Sequence, residues 1–247
     1  MSEDPQPSGD SPRRVLVTGA TGLVGSALVT ELRTRGVAVR AVTRGDRTGF
    51  EDDRGVERVK WDGTHVPREA LAGCDAVVHL AGEPIFGGLP TEARRKRMRD
   101  SRVESTRSLA ATLGELAPGE RPKWLVNASA VGFYGSRGDE RLNEASTPGE
   151  GFLSEICQQW EAEAEGARAH GVRVACLRLG IVLAKQGGAL EMMKLPFEWN
   201  VGGRLGSGKQ WVPWVHIDDV VGAIAGAVER GLERLGKLRP PHSATGR

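Results

Sequence analysis

The chain has 247 residues, enough for one large domain or two small ones, and its 39% hydrophobic and 27% charged residues are ordinary for a globular protein with a buried core. Its 34 basic and 32 acidic residues leave a net charge of only +2, which gives no electrostatic reason to expect a nucleic-acid or membrane partner. The three cysteines are widely spaced and no group of residues has metal-ligand spacing. We therefore expect no metal, no disulfide framework and a reducing, cytoplasmic location.

Short β-branched runs alternate with longer stretches of helical spacing, which predicts a Rossmann-type α/β fold with a doubly wound parallel sheet. Residues 1–12 are polar and rich in proline, serine and glycine, so we expect a disordered tail there. Strands are predicted at 14–18, 37–42, 56–60, 76–80, 124–128 and 172–177, and helices at 23–35, 91–116, 151–169 and 219–235.

The turn after the first predicted strand is rich in glycine and runs Thr-Gly-Ala-Thr-Gly-Leu-Val-Gly from Thr18 to Gly25. Gly19 suits the tight turn out of the strand, Gly22 lets the backbone approach a pyrophosphate, and Gly25 lets the helix pack on the sheet. Because the turn follows a strand and opens an amphipathic helix, whose N-terminus attracts phosphate, it predicts dinucleotide binding. The alternative is a tight turn that binds no ligand.

The end of the second predicted strand indicates which dinucleotide binds. An acid there would hold the ribose 2′-hydroxyl of NAD, whereas an arginine would pair with the 2′-phosphate of NADP. Arg44 occupies that place, Arg40 is a second candidate, and Asp46 is the residue that would instead favour NAD. We therefore expect NADP over NAD, the alternative being that Arg44 is only a solvated surface side chain.

Several further segments resemble the extended, epimerase-like branch of the short-chain dehydrogenase/reductase superfamily. The resemblance narrows to the atypical "epimerase family protein" group, some of whose members are labelled cell-division inhibitors or nucleoside-diphosphate-sugar epimerases. It covers residues 13–228. The segments are Trp61–Gly63, His79–Ile85, Ser101–Val103 with Thr106, Ser129–Gly135, Leu177–Leu183, Gly206–Gln210 and Trp214–Asp219.

The resemblance implies roles for individual residues. The glycine-rich turn would hold the pyrophosphate, Asp62 would lie near the adenine, and the segment that begins at Leu80 would pass the ribose. Ser129, at the end of the fifth predicted strand, matches the catalytic serine of the superfamily. The positions that match cofactor-binding residues are Gly19, Thr21, Gly22, Leu23, Gly25, Asp62, Leu80, Ala81 and Gly82.

The same resemblance divides the chain into a cofactor-binding domain at 13–185, a substrate-binding segment at 186–211, a return strand and helix at 212–235, and a tail at 236–247. Because relatives usually continue for some tens of residues, the substrate pocket is either incomplete, completed by a second subunit in a homodimer, or part of a truncated chain. The substrate-binding segment is rich in apolar residues, which indicate an apolar pocket. The alternative is that these residues simply pack within the segment. They are Met192, Met193, Phe197, Trp199 and Trp211.

Short-chain dehydrogenases normally carry a Tyr-x-x-x-Lys pair, whose tyrosine exchanges a proton with the substrate oxygen while the lysine supports it. This chain has a single tyrosine, Tyr134, and Gly138 follows it by four residues, so the pair is absent. In the extended branch a glutamate often follows the tyrosine by eight positions. If Glu161 is that glutamate, Leu153 stands at the tyrosine position and Cys157 at the lysine position, with Phe152 as the alternative to Leu153.

Ser129 and Tyr134 are the polar groups that we expect nearest the nicotinamide, and we predict them as the catalytic residues. Tyr134 either packs in the pocket with a hydrogen-bonded hydroxyl or acts as a substitute acid. As an acid it would need a nearby cation, for which Lys209 and His216 are candidates through the fold alone. His216 is alternatively a structural hydrogen-bonding residue.

One basic run, Arg94 to Arg99, lies on a predicted helix whose Met98, Val103 and Leu109 face inward, so we interpret the run as a solvated helix face. Arg102 is the exception, because it belongs to a segment that the resemblance places near the pocket.

Two hypotheses follow. The first is an NADP-binding oxidoreductase or epimerase-like protein that acts on an unknown small molecule. The alternative is a non-catalytic NADP-binding sensor or regulatory interaction protein. Ser129 and the apolar residues favour the first, and the missing pair favours the second.

Overall fold

Strands and helices alternate over residues 14–44, 55–85, 88–204 and 208–230, which are the residues that the computed structural model describes. The strands, in chain order, are β1 (Arg14–Thr18), β2 (Ala38–Thr43), β3 (Glu57–Lys60), β4 (Ala76–His79), β5 (Trp124–Ala130), β6 (Arg173–Leu179), β7 (Ile181–Leu183) and β8 (Trp214–His216). The helices are α1 (Leu23–Thr34), α2 (Arg68–Leu71), α3 (Glu92–Glu115), α4 (Phe152–Glu165), α5 (Gly188–Glu198) and α6 (Ile217–Arg230), with 3₁₀ turns at Val131–Tyr134 and Gly166–His170.

The main sheet contains six parallel strands in the order β3-β2-β1-β4-β5-β6. The chain builds outward from β1 through β2 and β3 on one side, and through β4, β5 and β6 on the other, which confirms the predicted doubly wound fold. The direction of winding reverses between β1 and β4, so the carboxyl ends of these two strands border the crevice in which such sheets bind ligands.

Each face of the main sheet packs against helices, because its strands are apolar on both sides. On one face, Leu28 of α1 and Ile224 of α6 belong to the same buried cluster as the strands. On the other face, Leu109 and Leu113 of α3 occupy the second buried cluster. These helices were predicted within a few residues, and the α6 prediction extends to residues 231–235, which lie outside the described residues.

The region after β6 differs from the prediction in two ways. First, residues 188–198 form the helix α5, although no helix was predicted within the segment 186–211. Second, the predicted return strand exists as β8, but it pairs in parallel with β7 in a separate two-stranded sheet. Gly180 permits this pairing, because a Cβ there would lie 2.9 Å from the carbonyl oxygen of Pro213.

No helix among residues 14–44, 55–85, 88–204 and 208–230 combines the length and the apolar character needed to cross a bilayer. The predicted tails at 1–12 and 236–247, and Asp46, fall outside these ranges.

Candidate cofactor and catalytic site

The glycine-rich turn brings the start of α1 against the ends of β1 and β4. Gly19 has a φ of +68°, and a Cβ there would lie 2.9 Å from the carbonyl carbon of Leu80. A Cβ on Gly25 would lie 2.1 Å from the Gly19 carbonyl oxygen, while the Gly22 amide donates to that oxygen at 3.0 Å. Glycine is therefore required at positions 19 and 25 by backbone contact alone.

The first turn of α1 fits a pyrophosphate. Its N-cap, Gly22, provides no side-chain hydrogen bond, and the first amides of a helix have no partner within the helix. Thr21 and Gly22 are exposed at this end. The turn therefore offers amides, the positive end of a helix dipole and a backbone cradle that a Cβ would fill, which suit a dinucleotide phosphate.

A buried hydrogen-bond network connects the glycine-rich turn with the end of β4. The Thr18 hydroxyl accepts from the amides of Leu80 at 3.1 Å and Ala81 at 3.2 Å, and it lies 2.8 Å from His79 Nδ1. His79 Nε2 in turn lies 3.3 Å from the Ser105 hydroxyl of α3. This network positions the Leu80 segment, and the motifs that contain Thr18 and His79 gave no sign of their contact.

The network also assigns the protonation of His79. Both lone pairs of the Thr18 hydroxyl accept amides, so its hydrogen points to His79 Nδ1 and the imidazole hydrogen is on Nε2. His79 is fully buried, and burial lowers its pKa to about 4. The ring is therefore neutral at physiological pH and acts as a structural connector.

Arg44 follows β2 directly and is exposed. A Cβ on Gly63 would lie 3.6 Å from Arg44 Cδ, so Arg44 lies beside the turn that follows β3. In that turn Asp62 accepts the amides of Thr64 at 2.6 Å and His65 at 2.7 Å. These bonds, the Thr64 amide first, lower the pKa of Asp62. The predicted 2′-phosphate and adenine residues are thus neighbours, and their binding roles stay predictions.

Arg40 does not face the cofactor edge, contrary to the prediction that it would assist Arg44. Its side chain is buried, and its guanidinium donates to the carbonyl oxygens of Glu69, Ala70 and Ala72 around α2. It also pairs with the Glu57 carboxylate at 2.9 Å. Arg40 lies within the strand and contacts α2, so it is a structural residue.

Four polar side chains form one chain of hydrogen bonds at the carboxyl ends of β5 and β6. Ser129 donates to Glu161 Oε1 at 2.6 Å. Arg178 donates from Nε to the same oxygen and from a terminal nitrogen to Oε2, each at 2.8 Å. Its other terminal nitrogen donates to the Tyr134 hydroxyl at 2.9 Å. The two predicted catalytic residues, Ser129 and Tyr134, are therefore joined through a carboxylate and a guanidinium.

Arg178 is the functional candidate that the sequence analysis missed. Its guanidinium lies 3.5 Å from the centre of the Phe133 ring, and its hydrogen bonds to Glu161 raise its pKa above the usual arginine value. It is the cation that contacts Tyr134, a role for which Lys209 and His216 had been considered. His216 instead accepts the Asp218 amide at 3.3 Å where α6 begins, in keeping with its structural interpretation.

One face of α4 points at the end of β5. A Cβ on Gly132 would lie 3.4 Å from Leu153 Cβ and 3.9 Å from Cys157 Sγ, so both side chains border the turn after Ser129. Glu161 continues the same face one turn later. Cys157 is buried, and burial raises the pKa of its thiol, which fits an inert cysteine.

The predicted apolar pocket residues do not enclose a cavity. All of them are exposed, and Trp199 retains 76% of its accessible surface. They extend along α5 and the chain before β8, and the substrate pocket that they were predicted to indicate stays a prediction. The exposed residues are Met192, Met193, Phe197, Trp199 and Trp211.

The sheet order and the glycine-rich turn define a Rossmann-type nucleotide-binding protein. The chain belongs to the NAD dependent epimerase/dehydratase family, whose model matches residues 15–235.

Among its relatives, the chloroplastic epimerase family protein SDR39U1 homolog of Arabidopsis thaliana is 38% identical over 223 residues, which cover 87% of this chain and 62% of that protein. An epimerase family protein of Staphylococcus aureus is 37% identical over 213 residues, with 86% of this chain and 69% of that protein covered.

Two solved structures share the fold. The nucleoside-diphosphate sugar epimerase from Corynebacterium glutamicum has a TM-score of 0.75 and 37% identity, covering 89% of this chain and 44% of that one. Human epimerase family protein SDR39U1 (isoform 2), solved with NADPH, has a TM-score of 0.73 and 34% identity, covering 87% and 70%. The chain thus spans less than half of the Corynebacterium protein and about two thirds of the other three relatives.

Proposed function

We propose that this chain is an NADP-dependent oxidoreductase or epimerase-like enzyme that acts on a small molecule. The observation that carries the proposal is the hydrogen-bonded chain from Ser129 through Glu161 and Arg178 to Tyr134. It lies at the carboxyl ends of β5 and β6, of which β5 is next to β4, on the edge where the glycine-rich turn offers a phosphate cradle.

The choice of NADP rests on two observations. Arg44 follows β2 at the place where a 2′-phosphate would be paired, and a guanidinium fork suits phosphate. The human relative is solved with NADPH. NAD is the second choice.

The proposed chemistry divides between cofactor and chain. The nicotinamide, when bound, supplies or accepts a hydride. Ser129 gives its own hydrogen to Glu161, so its oxygen retains lone pairs that can accept a substrate hydroxyl. Tyr134 accepts from Arg178 and keeps its own hydrogen for a substrate oxygen. Arg178 also puts positive charge against the oxygen that becomes negative when Tyr134 gives up that hydrogen.

A non-catalytic sensor is the second candidate, and the side chains of α4 favour it. Leu153 and Cys157 occupy the face beside the turn after Ser129, where a tyrosine and a lysine would be needed. Leu153 is aliphatic and cannot exchange a proton, and burial raises the pKa of Cys157, so its thiol stays neutral at neutral pH and cannot supply the positive charge of a lysine.

A substrate screen with NADPH and NADP separates the two candidates. Carbonyl compounds and alcohols are tested, including sugar nucleotides. The absorbance of NADPH follows net oxidation or reduction, and chromatography of the products follows epimerisation, which returns the hydride and leaves that absorbance unchanged. We expect turnover that falls at least about a hundredfold in Ser129→Ala and Tyr134→Phe, with NADPH affinity unchanged. Ser136→Ala, in the exposed loop after Gly135, is the matched control and should retain full rates.

Two outcomes contradict the enzymatic proposal. Unchanged rates in both variants would remove the catalytic roles of Ser129 and Tyr134. NADPH binding without turnover of any tested compound would favour the sensor.

A further inference from the structure

Arg95 differs from the other cations of the basic run at the start of α3. Its guanidinium carbon lies 5.3 Å from the centre of the Phe152 ring, and it forms no hydrogen bond or ion pair with any residue of the described chain. The ring therefore holds the Arg95 side chain, while its N–H donors stay available. The other cations of the run have oxygen partners, namely the carbonyl oxygens of Pro84, Ile85 and Gly88 for Arg94, the carboxylate of Glu83 for Arg97, and that of Asp100 for Lys96 and Arg99.

An open cleft of about 530 Å³ lies beside Arg95, between the first two turns of α3 and the start of α4. Three of its lining side chains are cations and one, Glu92, is a carboxylate that lies within 4 Å of no cation of the described chain. Asp100, beside the cleft, pairs with two of the three cations. Three cations against two carboxylates leave the cleft net positive, so it attracts anions. The lining residues are Glu92, Ala93, Arg95, Lys96, Arg99 and Phe152.

The contact with Phe152 prepares Arg95 for an anion. An exposed arginine that is free to rotate loses conformational freedom when it binds, and a side chain already held against a ring loses less. The planar guanidinium forms two parallel hydrogen bonds with a carboxylate or a phosphate, which an ammonium group cannot match. Arg95 is therefore the residue of the cleft best suited to recognise such a group, while Lys96 and Arg99 add positive charge.

The cleft lies next to the candidate catalytic residues. Ser154, two residues after Phe152, donates to the carbonyl oxygen of Phe133 at 2.7 Å. Phe133 belongs to the 3₁₀ turn that ends at Tyr134, so the first turn of α4 is bonded to the turn that carries the predicted acid. A small molecule whose oxygen contacts Tyr134 can therefore extend along the start of α4 to Arg95.

We infer that this cleft binds an anionic group of the substrate, a phosphate or a carboxylate, with Arg95 as the residue that recognises it. The substrate class is then a small molecule with a carbonyl or hydroxyl group for the reaction and an anionic group at its other end. The assignment of the anion to a substrate rests on the proposed function, whereas the binding of an anion in the cleft does not.

The first experiment measures anion binding at Arg95 itself, by NMR on the full chain. The Arg95 Nε–Hε resonance is identified as the one that is lost in Arg95→Gln. Inorganic phosphate and succinate are titrated separately at constant ionic strength, with and without saturating NADPH. We expect a saturable shift of the Arg95 resonance that persists with NADPH, because the cofactor occupies a different part of the sheet edge. The ligand that binds more tightly distinguishes a phosphate site from a carboxylate site.

Variants separate a specific site from a general excess of positive charge. In Arg95→Gln the Nε–Hε resonance of Arg99, which also lines the cleft, reports the remaining affinity, and this should fall about tenfold or more. Phe152→Leu keeps the charge and removes the ring, so its loss should be smaller. Arg97→Gln is the matched control, because it removes the same charge from the same helix outside the cleft, and the affinity should stay within about twofold.

The second experiment links the anion to the substrate. The screened compounds are compared in pairs that differ by an anionic group, such as glyceraldehyde with glyceraldehyde 3-phosphate and butanal with succinic semialdehyde. We expect the anionic member of a pair to be preferred. In Arg95→Gln its KM should rise about tenfold while kcat stays within about twofold, because Arg95 binds a part of the substrate that does not react.

The inference fails if the Arg95 resonance responds to neither anion, or if Arg95→Gln and Arg97→Gln lose the same affinity. It also fails if uncharged compounds are preferred or if KM is unchanged in Arg95→Gln. Absence of NADPH binding and of all turnover would remove the proposed function and, with it, the link to a substrate. A saturable shift of the Arg95 resonance would then still establish an anion site in the cleft.

Discussion

Two regions of the molecule differ in how far their side chains are buried. One is the edge of the sheet beside the glycine-rich turn, and the other runs from α5 to β8. At the turn, backbone packs on backbone, and Thr18, His79 and Ser105 connect β1, β4 and α3 inside the protein. From α5 to β8, large apolar side chains are exposed, Trp199 at 76% and Phe197 at 64%. The cofactor edge is therefore completed by the chain's own contacts, whereas the region from α5 to β8 leaves its large apolar side chains exposed.

The two regions therefore differ in what they require from a ligand or a partner. Backbone contacts define the shape of the turn, so we expect it to bind a dinucleotide without refolding. From α5 to β8, several large apolar side chains are exposed in one region of the chain. Such patches, unlike single exposed apolar residues, mark interaction or ligand surfaces. The homodimer that would cover it stays a prediction. If this contrast is correct, substitutions on the cofactor edge should have large effects and substitutions in α5 small ones.

The largest effect on cofactor binding is expected from Gly25→Ala. The new Cβ would lie 2.1 Å from the Gly19 carbonyl oxygen, so either the turn or α1 must move. We expect NADPH affinity to fall more than about a hundredfold and the free energy of unfolding to fall by about 2 kcal/mol or more. Titration and chemical denaturation measure the two quantities.

Gly166→Ala is the matched control for this substitution. Gly166 has helical dihedral angles, and a Cβ there would meet no atom of the described chain within 4 Å outside its own helix. Alanine there should stabilise the protein by about 0.5 kcal/mol and leave NADPH binding unchanged. Equal behaviour of the two variants would show that the turn tolerates displacement.

Protonation of His79 should weaken the same edge at low pH. Its pKa is about 4 in the folded protein, whereas an unfolded histidine titrates near its ordinary value, about 6.5. Between these values the unfolded chain binds a proton that the folded chain does not. Stability should therefore fall as the pH drops from about 6.5 to about 4, by about 3 kcal/mol in total, and be unaffected by this group above pH 7.

Denaturation at pH 7 and pH 4.5 checks this expectation, with His79→Gln as the comparison. The difference in stability between the two pH values should be smaller in His79→Gln by most of that amount. The same pH dependence in both proteins would refute the assignment of a buried neutral imidazole.

An intermediate effect is expected from Glu161→Gln. The substitution leaves Arg178, which is largely buried, without its bidentate carboxylate partner. We expect a loss of about 2 kcal/mol in the free energy of unfolding. Because Tyr134 is the only tyrosine, ¹³C labelling of the phenol carbon gives one resonance, which should shift when Arg178 loses its orientation.

Glu163→Gln is the control for this pair, two residues further along α4. Glu163 pairs with Arg107, whose side chain is 54% exposed, so the loss should be within about 0.5 kcal/mol. The account of the hydrogen-bonded chain would be untenable if both glutamine variants lost the same small amount and the tyrosine resonance did not move.

The smallest effect is expected in α5. Phe197→Ser and Trp199→Ser remove exposed apolar surface, so each should change the free energy of unfolding by no more than about 0.5 kcal/mol. Denaturation measures this, and light scattering should report less self-association. A loss near 2 kcal/mol in either variant would mean that these side chains are packed in solution.

The cofactor edge could be predicted from the sequence because its signals are local. The glycine spacing, the β-branched runs and the helical periods each lie within a short segment, and β1, α1 and β2 were located within two residues. The resemblance to short-chain dehydrogenases then led to the prediction that Ser129 and Tyr134 are catalytic, and these roles stay predictions.

The hydrogen-bonded chain could not be predicted, because it depends on the register of two strands far apart in sequence. Ser129 of β5 lies opposite Arg178 of β6, and Glu161 reaches both from α4. Arg40 was misplaced for a related reason, since a residue within a strand contacts the neighbouring elements and not the strand end. The helix α5 was missed because Pro196 and flanking glycines indicate irregular structure.

The central claim is that this chain binds NADP at the cofactor edge with its own residues. Calorimetric titration of the unaltered protein with NADPH and NADH, repeated on Arg44→Ala, tests it most directly. The account predicts that NADPH binds more tightly than NADH, and that Arg44→Ala weakens NADPH about tenfold, or about 1.4 kcal/mol, without changing NADH. Failure of the unaltered protein to bind either dinucleotide would contradict it.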